Sequence, residues 1–474
     1  MLLNSLKSFS KDTFYFGASS VISRLVGFIL IPVFTKYLTP EDYGIMTLLG
    51  FYTLFYSPIS HMGFQGAMFR YVGFSKDLNE EKSFMQTALF TTIIISSLIS
   101  LLAYFCIDLI NLLLFDTTKY NHLLFITMIT SYFASVSQIF YSYLRVKRKV
   151  KLIFRLSLVN LFCSVFFNIM LIVYFELGLT GAIYALLISS VFSFILGLFF
   201  VKIKWNFKIH KNKLKKMARY GLPNVPAYLQ AIIMVLFGQY YLGRNFSTEN
   251  LGLYAIAWKF CLPLQLIMGI INNAWKAFKF DLFKNNKNNT TVLTYFPILM
   301  IFIYCVIFLL IVLWGGDFLI LFTDIEFHSA SKYVPILALI PLFNAFYLTF
   351  GSYIAFGKSQ TFQPFIAGIG LIFTVVLSLI FIPKYSIYGV GFSTASGWLI
   401  MSILAYFYGQ YLFKIDFKIF KLLVFILVII TSALFIAFTL QNNLMKFAVL
   451  SINILLFYSM FGGYKQLKKV LINT

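Results

Sequence analysis

Fourteen stretches of about twenty apolar residues run through this chain, near 14–34, 43–62, 84–106, 121–144, 152–175, 178–201, 221–243, 250–273, 291–314, 333–354, 360–382, 388–410, 422–440 and 447–463. That length matches what ~30 Å of hydrocarbon demands of a helix. With 60% hydrophobic residues, 20% aromatic and only 11% charged, the 474-residue chain is far too apolar for a soluble globular protein. The sequence predicts an all-α polytopic membrane protein of about 14 transmembrane helices. A net charge of +23 does not point to nucleic acid, because the basic residues fall in the gaps between apolar runs and form no continuous face. The first run holds Arg24 at its middle and ends at Pro32-Val33-Phe34 without a small-x-small pattern, so it is read as a retained helix rather than a cleaved leader.

Orientation follows from the basic residues, since loops rich in Lys and Arg resist translocation. With both termini cytoplasmic, thirty of the 38 Lys and Arg fall on the cytoplasmic side and six on the other. The largest inner segment, Lys202 to Arg219, carries eight: Lys202, Lys204, Lys208, Lys211, Lys213, Lys215, Lys216 and Arg219. It reads as a linker lying on anionic headgroups, with a collecting patch for an anionic substrate as the sharper alternative. No outer loop is long enough for a folded domain.

The sequence repeats across that linker. Lys36-Tyr-Leu-Thr-Pro-Glu41-Asp42-Tyr-Gly44-Ile45 recurs 208 residues later as Arg244-Asn-Phe-Ser-Thr-Glu249-Asn250-Leu-Gly252-Leu253. At the same offset Gly178-Leu-Thr-Gly181 matches Ser386-Ile-Tyr-Gly389, and at an offset of 210 Tyr143 to Arg148 matches Tyr353 to Lys358. Six helices per copy is an even number, so the copies are parallel and related by an axis along the membrane normal, with a path expected between them. The expected organisation is an N-lobe over 1–201 (helices 1 to 6), the basic linker over 202–219, a C-lobe over 220–413 (helices 7 to 12), and helices 13 and 14 with a basic tail over 414–474.

Two cations fall inside apolar runs, Arg24 and Lys259. At the bilayer centre such a charge costs at least ~2.5 kcal/mol, so each either faces a wet cavity, partner or substrate, or snorkels to the interface. All fifteen carboxylates sit in loops or near run ends. Unopposed positive charge suits an anionic ligand, with Arg able to grip phosphate oxygens bidentately. Arg70 and Arg155, at run ends, are further candidates, with interfacial anchoring as the alternative. Polar residues including Asn160, Asn168, Gln239 and Asn272 either line a path or bond helix to helix. The isolated cysteines Cys106, Cys163, Cys261 and Cys305 read as small buried hydrophobes. Nucleophile, phosphate-loop, cofactor and metal signatures are absent from the sequence.

The stretch from Phe16-Gly17 through Arg24-Leu-Val-Gly27 to Tyr37-Leu-Thr-Pro-Glu41-Asp42-Tyr43-Gly44 resembles the start of bacterial polysaccharide repeat-unit flippases of the Wzx type. Tyr220-Gly221-Leu-Pro223 and Gly252-Leu-Tyr254-Ala-Ile-Ala-Trp-Lys259 resemble that family's middle. The resemblance extends over nearly the whole chain and places it in the multidrug/oligosaccharidyl-lipid/polysaccharide exporter superfamily. It implies a MATE-like, V-shaped pair of six-helix lobes in the bacterial inner membrane. It also implies no enzymatic activity and alternating-access transfer of an undecaprenyl-pyrophosphate-linked oligosaccharide, for O-antigen (lipopolysaccharide) or capsule, to the periplasmic leaflet. Partners implied are that lipid-linked substrate, membrane lipids, and a polysaccharide polymerase and chain-length regulator. In the similar lipid II flippases, cations on helices 1 and 8 meet the pyrophosphate, and Arg24 and Lys259 lie on those helices here. Many relatives have Asp-Arg in helix 7 where this chain has Gly238-Gln239, so an ion-coupling role for that acid does not carry over. The alternatives are a lipid II flippase, a cation-coupled multidrug antiporter, which needs membrane-embedded carboxylates, and a polysaccharide polymerase, which needs a large outer loop.

Overall fold

The computed structural model describes residues 27–75, 77–201, 208–284, 290–354, 362–412, 419–439 and 442–461. Among them, twelve helical segments are long and apolar enough to cross a membrane. They match the third to fourteenth apolar runs. The first run lies mostly outside the described residues, leaving the short α1 (Ile31–Tyr37), and the second forms α2 (Pro40–Ser60), a 21-residue helix. The chain is an all-helical, multi-pass membrane protein.

Packing divides the chain into two compact units, 1–236 with 243–252, and 237–242 with 253–474. The first holds α2, α3 (Phe64–Tyr71), α4 (Leu78–Phe105), α5 (Ile107–Phe115), α6 (Asn121–Val146), α7 (Val150–Ile169) and α8 (Gly178–Val201). It also holds α9 (Lys211–Gly221), α10 (Val225–Asn245) apart from 237–242, and the first turn of α11 (Thr248–Lys284). The enclosed α6 lies at the centre, against α2, α3, α4 and α8. Phe64, Met68, Phe84, Ala88, Val136, Phe140 and Met217 form its main apolar cluster. Large side chains such as Leu102, Phe162 and Phe199 point outward and stay exposed, as expected where lipid replaces water.

The second run does not continue as one helix. Pro58 lies in the last turn of α2, Met62 and Gly63 take positive φ of 48° and 67°, and α3 restarts at Phe64. Proline removes a donor and crowds the preceding turn, and the glycine accepts the left-handed geometry at no cost. The break presses backbone on backbone: a Cβ on Gly63 would lie 2.4 Å from the Gly221 carbonyl oxygen, and one on Gly221 would lie 2.4 Å from that of Met62.

The second unit contains the rest of α11, α12 (Thr290–Phe322), a 3₁₀ stretch (Ile325–Tyr333), α13 (Val334–Leu337), α14 (Leu339–Ile354), α15 (Gln363–Tyr385), α16 (Ile387–Leu412), α17 (Ile419–Thr439) and α18 (Asn443–Phe461). Its framework is α16 packed on both α14 and α15. The last two helices dock on α12. Phe457 stacks on Phe302 at 3.8 Å, Asn453 Nδ2 donates to Ser432 Oγ at 3.2 Å, and the buried Lys446 pairs with Asp317.

The repeat is visible in the backbone. Gly178 and Ser386, equivalent at the 208-residue offset, both have positive φ (52° and 50°), the first opening α8 and the second just before α16. Three residues on, a Cβ on Gly181 would lie 2.9 Å from the Leu171 carbonyl oxygen, and one on Gly389 would lie 2.6 Å from that of Phe381. In each copy a close backbone approach thus seats the helix on its predecessor. Of the third match, Tyr143 and Tyr353 lie near the ends of α6 and α14, and 355–358 fall outside the described residues. Serine at 386 sits in backbone geometry that favours glycine, a strain of roughly 1 kcal/mol or more. Ser386→Gly should raise the thermal midpoint of the detergent-solubilised protein and Gly178→Ser should lower it, both read by fluorescence-detected unfolding.

Candidate functional site

Of the basic segment before α10, residues 202–207 lie outside the described residues, and Lys211–Gly221 forms the helix α9. On α9 the residues Leu214, Met217, Ala218 and Gly221 face the first unit, and Lys211, Lys215, Lys216 and Arg219 are exposed. This three-to-four spacing is that of an interfacial amphipathic helix. Lys213 turns inward. Its Nζ donates to Ser83 Oγ and to the Glu80 carbonyl (3.3 Å), 4.9 Å above the Phe84 ring. Phe84 stacks on Tyr71 at 5.4 Å, Tyr71 meets Tyr220 edge-on at 6.3 Å, and the Arg70 guanidinium stands 5.0 Å from the Tyr220 ring. A row of three rings, Phe84, Tyr71 and Tyr220, with a cation at each end thus fastens α9 to α3 and α4.

The four sequence-predicted site residues are distributed as follows. Arg24 lies outside the described residues. Arg70 is exposed in the last turn of α3, with its guanidinium over Tyr220. Arg155 is exposed in the second turn of α7. Lys259 is half-buried eleven residues into α11, about 16 Å along the axis from its first residue at the α-helical rise. Arg70 and Arg155 belong to the first unit and Lys259 to the second. Every described carboxylate sits in a loop, a cap or within about two turns of a helix end, so none shares the middle of a span with Lys259. Among the described residues no cluster of His, Cys, Asp and Glu could hold a metal. Cys261 and Cys305 are buried as expected, whereas Cys106 is exposed at the joint between α4 and α5, where a helix terminus opens the packing.

The polar residues of the spans mostly bond helix to helix or to their own backbone. Ser193 Oγ donates to Asn160 Oδ1 at 2.9 Å, Asn168 Nδ2 to the Ser164 carbonyl at 2.8 Å, and Asn272 Nδ2 lies 3.5 Å from Tyr304 Oη. Tyr56 Oη, 2.8 Å from both Ser100 Oγ and the Ser96 carbonyl, and Thr53 Oγ1, 2.9 Å from Ser131 Oγ, tie α2 to α4 and α6.

Sequence reasoning missed two polar features. Glu81 is buried in the first turn of α4, where it accepts from Tyr143 Oη at 2.6 Å and pairs with Lys147. Its 62- and 66-residue separation from those partners hides the contact in the sequence. Arg244, at the other end of the unit, donates to the Leu113 carbonyl at 2.7 Å and pairs with Asp116 at 3.2 Å, capping α5. Nearby, burial raises the Tyr120 phenol above its usual range, and the Glu41 and Asp42 carboxylates add to the shift.

The chain is thus a helical membrane protein with a basic amphipathic helix, α9, and a lysine midway along a span. The chain belongs to the polysaccharide biosynthesis protein family, whose model matches residues 9–276. "Lsg locus putative protein 1" of Haemophilus influenzae is 23% identical over 292 residues, 58% of this chain and 67% of the relative. Among solved structures, the lipid II flippase MurJ in an inward closed conformation aligns at TM-score 0.73 and 19% identity, covering 95% of this chain and 98% of MurJ. An inward-facing multidrug resistance MATE family transporter of the MOP superfamily aligns at TM-score 0.65 and 14% identity, covering 84% and 94%. The fold is that of these transporters.

The Glu81 contact yields a stability test. Glu81→Ala removes the carboxylate from Tyr143 and Lys147, and hydrogen bonds to a charged group contribute about 1.5–3 kcal/mol. A lowered thermal midpoint is expected, and Lys147→Met in the Glu81→Ala background should cost less than it does alone, measured as a double-mutant cycle.

Proposed function

We propose that the protein is a flippase for undecaprenyl-pyrophosphate-linked oligosaccharide repeat units, carrying them from the cytoplasmic to the periplasmic leaflet of the bacterial inner membrane by alternating access. One observation carries this reading: a chain of the polysaccharide biosynthesis family places Lys259 midway along a span and keeps its described carboxylates at helix ends. A cationic path favours a diphosphate and disfavours a cationic drug. In this reading both termini are cytoplasmic. Arg24 and Lys259 neutralise the pyrophosphate, and Arg70 and Arg155 receive it near the cytoplasmic face, where the exposed lysines of α9 raise the local concentration of anionic headgroups. The sugars cross in a wet cavity, a polymerase and a chain-length regulator act on the product, and the substrate serves O-antigen or capsule.

The multidrug-antiporter reading needs an embedded carboxylate to exchange a cation for drug, and none of the described carboxylates is placed for it. The lipid II reading draws support from the shared fold with MurJ. Purified protein in proteoliposomes with fluorescent polyprenyl-diphosphate oligosaccharide tests all three. Protection of the label from an external quencher, growing with time and without chain lengthening, is the expected result. Transfer of lipid II alone, efflux of an organic cation, or elongation of the glycan would overturn it. Arg24→Gln and Lys259→Met should each reduce transfer about tenfold or more, one lost charge-assisted contact of at least ~1.4 kcal/mol, at unchanged protein yield.

A further inference from the structure

The best-preserved piece of the repeat folds as a pair of helix starts that meet face to face. Thr39 caps α2 by accepting from the Asp42 amide (3.2 Å), and the Asp42 carboxylate accepts in return from the Thr39 amide (3.0 Å). Ser247 accepts equivalently from the Asn250 amide (3.0 Å) at the start of α11. The recurring hydroxyl and the acid or amide three residues on are therefore N-cap chemistry. That accounts for four residues of the motif and leaves its glycine unexplained.

The glycine is explained by the other copy. A Cβ on Gly44 would lie 1.8 Å from the Thr248 carbonyl oxygen, and a Cβ on Gly252 would lie 1.8 Å from the Pro40 carbonyl oxygen. Pro40 and Thr248 are repeat equivalents, each the first residue of its helix, and Gly44 and Gly252 are each the fifth. The two helix starts thus exchange the same contact twice, glycine Cα–H against carbonyl oxygen, in an approach too close for any side chain. Leu48 and Leu251 seal it from below, both fully buried, with Gly243 against Leu251. Other glycines of the same helices have no such neighbour: at Gly50 of α2 and Gly269 of α11 an added Cβ meets nothing within 4 Å.

We infer that Gly44 and Gly252 form a two-sided latch, which holds the first turns of α2 and α11 together and parts once in each transport cycle. The inference rests on the transport reading above. Under the expected orientation these first turns lie at the periplasmic face, where an alternating-access carrier is shut whenever its cytoplasmic side is open. Because the contact is reciprocal, one half cannot slide without breaking the other, so the latch has two states, engaged and parted. Gly44 and Gly252 are positioning residues and touch no substrate.

The test uses full-length protein with its four cysteines replaced and spin labels at Tyr37→Cys and Phe246→Cys, exposed positions flanking the latch. Pulsed dipolar spectroscopy in lipid nanodiscs without substrate should show a short distance in the parent, and in Gly50→Ala and Gly269→Ala. Gly44→Ala and Gly252→Ala should each shift the distribution to a longer distance and lose translocation in proteoliposomes. A distribution in the latch variants identical to that in the control variants overturns the latch. A second arm leaves both glycines in place: a short bifunctional maleimide joining the same two cysteines should stop translocation, and continued translocation by cross-linked protein overturns the latch even where an alanine variant does not fold. The distance shift needs no substrate. A shift as expected in a protein that moves no lipid-linked oligosaccharide would therefore reject the flippase reading and keep the latch.

Discussion

Every break in this fold answers to one constraint: in hydrocarbon a backbone N–H or C=O has no water to turn to and must be bonded within the protein. Long helices meet it along their length, so irregular backbone concentrates where another partner takes over. Thr39, Asp77 and Asp324 cap helix starts with their side chains. The last carbonyls of α5 are taken by Arg244. Buried threonines and serines such as Thr87, Thr127 and Thr374 return their hydroxyls to the carbonyl four residues back, so a polar side chain in a span does not by itself mark a path.

The same constraint explains how much the sequence disclosed. Hydropathy depends on length and composition alone, so the existence of the third to fourteenth spans was legible, whereas helix ends that run on past the apolar stretch, as α11 does to Lys284 and α12 to Phe322, were not. The repeat was legible because its retained residues carry backbone geometry: N-caps at 39 and 247, left-handed turns at 178 and 386, close approaches at 181 and 389. The interruption between α2 and α3 was not. Apolar residues flank it on both sides, and its cause is Gly63 meeting a glycine 158 positions away. Nor was α9 separable from a linker, because the eight basic residues of 202–219, five of them on α9 itself, mask a short stripe of Leu214, Met217 and Ala218.

Site residues were less legible than scaffold for an electrostatic reason. A lone cation in an apolar run stands out, so Lys259 could be picked from sequence, but its surroundings are fixed by helices far away in the chain. The converse holds for Glu81 and Lys446. Each sits near a run end, where sequence reads an ordinary interfacial charge, yet each is buried against a partner, Tyr143 with Lys147 in one case and Asp317 in the other. Glu81–Lys147 and Lys446–Asp317 thus dock helices near their ends.

The reciprocal contact at Gly44 and Gly252 bears on how such a chain arose. A patch in which residue i meets j while j meets i is isologous, the signature of two identical subunits about a two-fold axis. A single six-helix unit bearing the motif once would present both the glycine and the carbonyl it fits, and could satisfy them only with a second copy of itself. Duplication and fusion would turn that dimer contact into an internal one. The covalent link then frees every other position to diverge, so that one half can keep a lysine for which the other has no counterpart, while the residues of the old subunit boundary remain matched.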